Sequence, residues 1–386
     1  MVDRSYWRDA LEQAWQKRSL VWLAGVRRAG KTFLCQSLDR VDYFDCELPR
    51  TRRLMEDPES FLADRRGTRI VLDEVHRLSN PSELLKIAAD HFPDTPVIAT
   101  GSSTLEATAK FRDTLTGRKE NLWLTPMIGP DLADFGSEAL PHRFLHGGLP
   151  PFFLADKLPE RDFQDWIDAY WAKDVQELFR LERRWSFQRF LELLFAQSGG
   201  MFEATRFAAP CEVSRQTISN YLAALEATFV AQVVRPFSTR RSTEIVAAPK
   251  VYGFDTGFVC YYRGWNTLRD EDLGLLWEHF VLNEIQGRLQ YRGPRYWRNK
   301  QGAEVDFVVP RRGGGGPIAI ECKWKAASFE PNALVAFRRL YPEGENYIVA
   351  PDVDTPYTRA YKSFEAEFVP LEHLISRLST QPLAAA

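Results

Sequence analysis

The chain has 386 residues, more than one compact core accommodates, so its length predicts two or three domains. Its 45% hydrophobic and 26% charged residues suit a globular chain, and a formal net charge of −2 excludes a globally basic nucleic-acid binder, leaving only local patches for DNA. Five scattered cysteines with no Cys-x-x-Cys pair point to neither a disulfide framework nor a zinc site. No apolar run approaches membrane-spanning length, so a cytoplasmic location without membrane contact is the expectation.

In chain order, Leu11 to Arg18 reads as a helix that feeds an apolar strand, Leu20 to Ala24. Trp7 or Trp15 in this region packs either near a nucleotide base or in plain core. The next eight residues, Gly25 to Thr32, read G-x-x-x-x-G-K-T, and Phe33 to Leu38 opens a helix. A loop of this spacing wraps backbone N–H groups around polyphosphate, its lysine reaches the β/γ oxygens, and its threonine ligates Mg²⁺. Gly25, Arg28, Ala29, Gly30, Lys31, Thr32 and Phe33 are therefore the candidate nucleotide-binding residues.

Val41 to Cys46 is a second strand candidate, and Arg69 to Leu72 a third that runs into Asp73 and Glu74. About forty residues after a P-loop, such a carboxylate pair suits Mg²⁺ binding by Asp73 and polarisation of the attacking water by Glu74. Asn80 and Pro81 signal a helix start, and Pro96 to Ala99 reads as another buried strand. Ser102 or Ser103 beyond that strand senses a γ-phosphate or caps the next helix. Arg118 stabilises transferred phosphate charge or is a surface arginine at a helix end. Asn121 to Leu124 resumes a strand. Strands alternating with helices predict a parallel sheet covered on both faces.

His146 to Pro151 contains a glycine–proline turn, and Trp166, Tyr170, Trp171, Val175 and Leu178 recur at helical spacing, as a core stripe does. Residues 202–209 and 215–225 form a helix-turn-helix pattern whose second helix is capped by Ser214 and presents Arg215, Gln216, Ser219 and Asn220. Two strands follow, 229–234 and 250–254, with Arg240 and Arg241 at the tip between them. Such a winged helix contacts DNA through Arg215, Arg240 and Arg241, or serves as a protein-contact module with Glu212 and Glu226 diluting its charge. Asp255 to Phe258 is expected to cap a helix.

Further on, Trp277 to Ile285 is an amphipathic helix. Residues 302–309 alternate strictly, with Ala303, Val305, Phe307 and Val309 on one face and Glu304 and Asp306 on the other. Residues 317–325 alternate too and place Glu321 and Lys323 together; Arg311 to Gly316 makes the loop between the two strands. Phe329 to Leu340 reads as a crossover helix, Asn346 to Ala350 as a last core strand, and residues beyond Gln381 as frayed.

The P-loop, Leu-Asp-Glu-Val, Ala-Thr-Gly-Ser-Ser, Leu-Thr-Gly-Arg and the Leu-x-Pro-Met step together resemble an AAA+ ATPase. They are similar to the prokaryotic group whose C-terminal half is a domain of unknown function with nuclease-like motifs. His76 and Arg77 depart from the amide and lysine frequent in that group. Asp306 with Glu321-x-Lys323 on adjacent strands, after a helical glutamate, resembles the PD-(D/E)xK nuclease core. In such a site Asp306 and Glu321 hold Mg²⁺, while Lys323 orients or deprotonates water. Glu278 is the helical glutamate by resemblance; Glu284 competes with it, and the two lie about 120° apart on the helix.

The resemblance implies an α/β AAA+ domain over 1–136, a helical linker over 137–185, a winged helix over 186–265 and an α/β restriction-endonuclease-like domain over 266–386. It implies ATP and Mg²⁺ as cofactors, a homo-oligomer such as a hexameric ring, and action on duplex or branched DNA such as Holliday junctions. A nucleotide-dependent protein-interaction switch is the alternative, and an ATP-regulated nuclease a third reading.

Overall fold

In the computed structural model, residues 2–101, 109–137, 139–176, 183–238 and 248–384 are described. The chain divides into two compact units: 1–139 with 148–184 and 222–230, and 140–147 with 185–221 and 231–386. The predicted linker is thus shared between the units, and the predicted winged-helix and C-terminal segments fall largely within one.

The first unit is built on a five-stranded parallel sheet. Its strands are β1 (Leu20–Ala24), β2 (Val41–Asp45), β3 (Arg69–Asp73), β4 (Val97–Thr100) and β5 (Lys119–Trp123), in spatial order β2-β3-β4-β1-β5. Every pairing is parallel. Strands β1 and β4 are buried along their whole length, as continuous apolar runs in a helix-covered sheet must be. This order sets the C-terminal end of β4 beside the loop that leaves β1, and that of β3 one strand further, at the edge where open parallel sheets bind ligands. The helix after the P-loop is short, Lys31–Gln36. Asn80 precedes the helix Pro81–His91, but its amide bonds Glu83 instead of a free backbone N–H. The aromatic stripe forms a helix, Glu160–Tyr170, that widens into a π-helical turn over Trp171–Val175; Leu178 lies outside the described residues.

The second unit holds two sheets. Helix Arg184–Ala196, β6 (Gly200–Met201), helices Ala204–Ala208 and Arg215–Ala227 (of which residues 222–227 count with the first unit), then β7 (Ala231–Val234) and β8 (Lys250–Gly253) follow one another, and the strands pair antiparallel as β6-β8-β7. Ser214 caps its helix by accepting from Thr217 N at 3.1 Å, and Asp255 caps the next by accepting from Gly257 N at 2.9 Å.

The larger, mixed sheet contains β9 (Arg295–Arg298), β10 (Glu304–Val309), β11 (Ile318–Cys322), β12 (Asn346–Val349), β13 (Tyr357–Tyr361) and β14 (Phe364–Val369), in order β13-β14-β12-β11-β10-β9. Helix Asn332–Leu340 connects the parallel pair β11 and β12, as such a crossover requires.

Two expectations about this sheet fail. A register shift between Val305 and Val308 breaks the strict alternation of β10, so Val305 and Val308 share one apolar cluster with Ile348, Phe337 and Phe368. Phe307 instead lies 6.0 Å from the Tyr252 ring. The end of the chain is not frayed through residue 384: Arg312 N donates to Pro382 O and Ala384 N to Pro310 O, at 2.7 and 3.0 Å. Backbone groups left open by the glycine-rich loop explain that attachment.

Candidate functional site

A cavity of about 610 Å³ in the first unit is lined by Gly25, Arg28, Gly30, Lys31, Thr32 and Phe33, with Glu74 facing them. Gly25 has φ +150°, and a Cβ there would meet Leu124 O at 2.4 Å, so no other residue fits. Gly30, at φ +99°, turns the loop into the helix. Lys31 Nζ donates to Gly25 O at 2.8 Å and to Val26 O at 3.2 Å. Burial lowers the Lys31 pKa against the pull of Glu74, Asp174 and Asp73. Ala29 is buried behind the loop, and its carbonyl accepts from Arg4 Nη1 at 2.7 Å. Arg4 in turn forms a bidentate pair with buried Asp131, at 2.8 and 2.7 Å. The loop is therefore braced from behind by a pair that lies outside the Gly25–Thr32 motif.

Asp73, 3% exposed, ends β3. Its Oδ2 accepts from the Tyr43 hydroxyl at 2.6 Å and its Oδ1 from Thr100. Burial, reinforced by Asp73, raises the Tyr43 pKa, so this phenol stays a donor. Glu74 takes a left-handed backbone, φ 56° and ψ 46°, and its carboxylate lies 3.1 Å from His76 Nδ1. Burial works against the Glu74 charge, but the His76 hydrogen bond and the Lys31 ammonium outweigh it and hold the carboxyl below its ordinary value. The set brings an ammonium and two carboxylates to one loop, with the Thr32 hydroxyl at the same cavity.

Other expected residues stand elsewhere. Arg118 donates to Asp90 Oδ1 at 2.8 Å and to Thr114 O, and does not line the cavity. Trp7 bonds Asp131, Trp15 carries Arg69 over its ring, and neither lines the cavity. Ser102, Ser103, Arg240 and Arg241 lie outside the described residues. Arg215, Gln216, Ser219 and Asn220 are exposed on their helix, where Gln216 bonds Asn220 at 3.1 Å. Sequence reasoning missed Tyr43, Thr100 and Asp174. Asp174 sits in the π-helical turn, lines the cavity and accepts from Arg27 Nε at 3.2 Å.

A second constellation lies in the other unit. Asp306 and Lys323 line an open cavity of about 530 Å³ together with Glu278. Lys323 Nζ donates to Glu321 Oε2 at 2.7 Å and lies 3.6 Å from Asp306, whose Oδ2 also accepts from Cys322 N at 2.8 Å. Burial, with Asp306 beside it, pushes the Glu321 carboxyl up to about 8; burial likewise raises Asp306. Glu321 Oε1 is buried without a hydrogen-bond partner, which suits a cation at Asp306 and Glu321.

Glu278 faces this cluster, whereas Glu284 is fully buried and pairs with Arg288 at 3.6 Å. Yet Glu278 accepts from Lys250 Nζ at 2.8 Å and from the Tyr252 hydroxyl, and Lys250 also bonds Glu304 at 2.8 Å. Among the described residues, no group of three His, Cys, Asp or Glu side chains is placed to hold a metal ion. No helix among them is long and apolar enough to cross a membrane.

Comparison with known proteins divides the chain differently from the two units, since one match crosses both. Residues 17–130 match the family model of an AAA domain, residues 137–269 a domain of unknown function (DUF8612), and residues 273–372 another (DUF4143). Uncharacterized proteins of Mycobacterium bovis and Mycobacterium tuberculosis are each 29% identical over 332 residues, spanning 82% of this chain and 73% of theirs. A Walker-type ATPase of Pyrococcus abyssi aligns at 15% identity and TM-score 0.43, over 68% of this chain and 96% of its own. The DNA clamp loader delta protein of Bacillus subtilis aligns at 13% and 0.26, over 72% and 99%. Residues 17–130 are thus similar to AAA domains and carry their P-loop on a parallel sheet, and a mixed-sheet region follows later in the chain.

Proposed function

We propose that this protein hydrolyses ATP and uses the energy to act on DNA, remodelling it or moving along it, as a homo-oligomer such as a hexameric ring. One observation carries the hydrolytic part: Glu74, at the end of β3, faces Lys31 of the P-loop across one cavity. The loop N–H groups and Lys31 bind the phosphates, and Glu74 accepts the proton of the attacking water. Thr32 and Asp73 suit Mg²⁺, which when bound neutralises phosphate charge. Arg118, off this cavity, would act only on a neighbouring subunit's nucleotide.

The order helix–strand–helix–helix–strand–strand around Arg215 supports a winged helix, whose exposed Arg215 contacts DNA phosphate. Arg240 and Arg241 extend that contact in this proposal. Asp306, Glu321 and Lys323 support a C-terminal domain that binds DNA and, with Mg²⁺ on the two carboxylates, cuts it; Lys323 orients the water and Glu278 lies at its edge. Its standing as a nuclease-like fold belongs to the same proposal.

The alternative is a nucleotide-dependent switch for protein partners. It is favoured by the net charge of −2 and by Arg215 being the one cation among the four exposed residues of that helix face. ATPase rates with and without duplex, single-stranded and four-way-junction DNA decide between them. The DNA reading expects a rate increase and binding that weakens steeply with salt, with a shallower salt slope, by about one, in Arg215→Ala. No change with any DNA favours the switch. No cleavage with Mg²⁺ or Mn²⁺ removes the cutting and leaves the binding.

A further inference from the structure

The P-loop motifs name Glu74 but do not say what aims it. Glu74 stands in a left-handed backbone, φ 56°, a conformation that costs a side-chain-bearing residue free energy unless its surroundings hold it. The structure holds it at two points. Glu74 N donates to Thr100 Oγ1 at 3.0 Å, and Thr100 is fully buried at the end of β4, the strand beside β3. Having accepted that bond, the Thr100 hydroxyl directs its single proton to Asp73 Oδ1. One hydroxyl thus fixes the backbone of Glu74 and the carboxylate of Asp73. The left-handed residue then turns the chain into the short helix Val75–Arg77, which brings His76 back to 3.1 Å from Glu74 Oε2. His76 also lines the cavity.

We propose that Thr100 and His76 are positioning residues for Glu74, Thr100 setting its backbone and His76 its carboxylate. This rests on the reading of the cavity as an ATP-hydrolysing site. His76, a departure from the amide frequent in the resembled group, becomes a determinant of rate.

The experiment measures kcat, KM and nucleotide affinity for the full chain and for Thr100→Val, Thr100→Ser, His76→Leu and His76→Asn, with Glu74→Gln beside them. Thr100→Val keeps the shape and deletes the hydroxyl; kcat is expected to fall about 10–100-fold with affinity nearly unchanged, the range typical for groups that orient a catalytic shell. Thr100→Ser restores most of the rate. His76→Leu lowers kcat, and His76→Asn, whose amide places a donor near Nδ1, recovers it.

Wild-type rates in Thr100→Val and His76→Leu, beside an inactive Glu74→Gln, overturn the proposal and leave the hydrolysis reading standing. A wild-type chain that does not hydrolyse ATP, or a Glu74→Gln chain that does so at full rate, overturns both. Should Thr100→Val fail to fold, the His76 pair decides: loss with Leu and recovery with Asn supports the proposal, and equal rates overturn it.

Discussion

The P-loop cavity and the Lys250 cluster both set lysines among carboxylates, but they settle the charge differently. At the P-loop, Lys31 bonds two backbone carbonyls, and Asp73 bonds the hydroxyls of Tyr43 and Thr100. Lys31 and Glu74 line that cavity with no ion pair between them. In the other unit Lys250, 5% exposed, bridges Glu278 and Glu304, and Lys323 bonds Glu321. There the ions neutralise each other. Neutral donors leave a charge available to a ligand, whereas a buried ion pair is committed to the fold until something breaks it.

Replacing each lysine in turn should give the largest effects. Lys31→Ala should abolish nucleotide binding and hydrolysis, more than a hundredfold, and cost little stability because burial already disfavours that ammonium. A large loss in its unfolding midpoint, with nucleotide binding intact, would reverse the assignment. Lys250→Met is expected to do the opposite. Glu278 loses its cation and Glu304 keeps only Arg298, so stability falls by roughly 3 kcal/mol in denaturant unfolding while nucleotide affinity holds. Unchanged stability would mean that the cluster is not structural.

His279 gives a smaller, pH-dependent effect in the second unit. Its Nε2 lies 2.7 Å from Ser198 Oγ and its Nδ1 2.8 Å from Leu275 O, and burial lowers its pKa to about 4. The folded value lies below the unfolded one, so its stability contribution is present above pH 6.5 and lost as pH falls toward about 4. The whole step is worth roughly 3 kcal/mol. His279→Gln should flatten the unfolding free energy across that window; an unaltered pH profile would show that His279 does not carry it.

How far the sequence speaks also differs between the two regions. Around the P-loop the chemistry sits in contiguous words, so β1, the loop, Asp73 and Glu74 are legible from spacing alone. Tyr43, Thr100 and Asp174 are not, because each reaches the site from another strand or turn and belongs to no word. Asp174 also depends on a π-helical turn that a 3.6-residue period does not announce. Around Lys250 the motif residues Asp306, Glu321 and Lys323 are legible. The register shift in β10 is hidden, since alternation assumes an unbroken ladder. Lys250 reads as an ordinary strand residue until the fold carries it to Glu278 and Glu304. Helical phase separates Glu278 from Glu284, but only the surroundings show which one faces the cavity.

On the proposed reading, Glu74 and Lys31 face each other across the P-loop cavity to hydrolyse a nucleoside triphosphate. Single-turnover hydrolysis of ATP with Mg²⁺ by the wild-type chain and by Glu74→Gln, with nucleotide affinity measured on both, tests it most directly. Release of phosphate by the wild type is expected and, in Glu74→Gln, ATP bound with similar affinity but hydrolysed at least a hundredfold more slowly. Equal rates in the two chains, or no hydrolysis by the wild type, would contradict it.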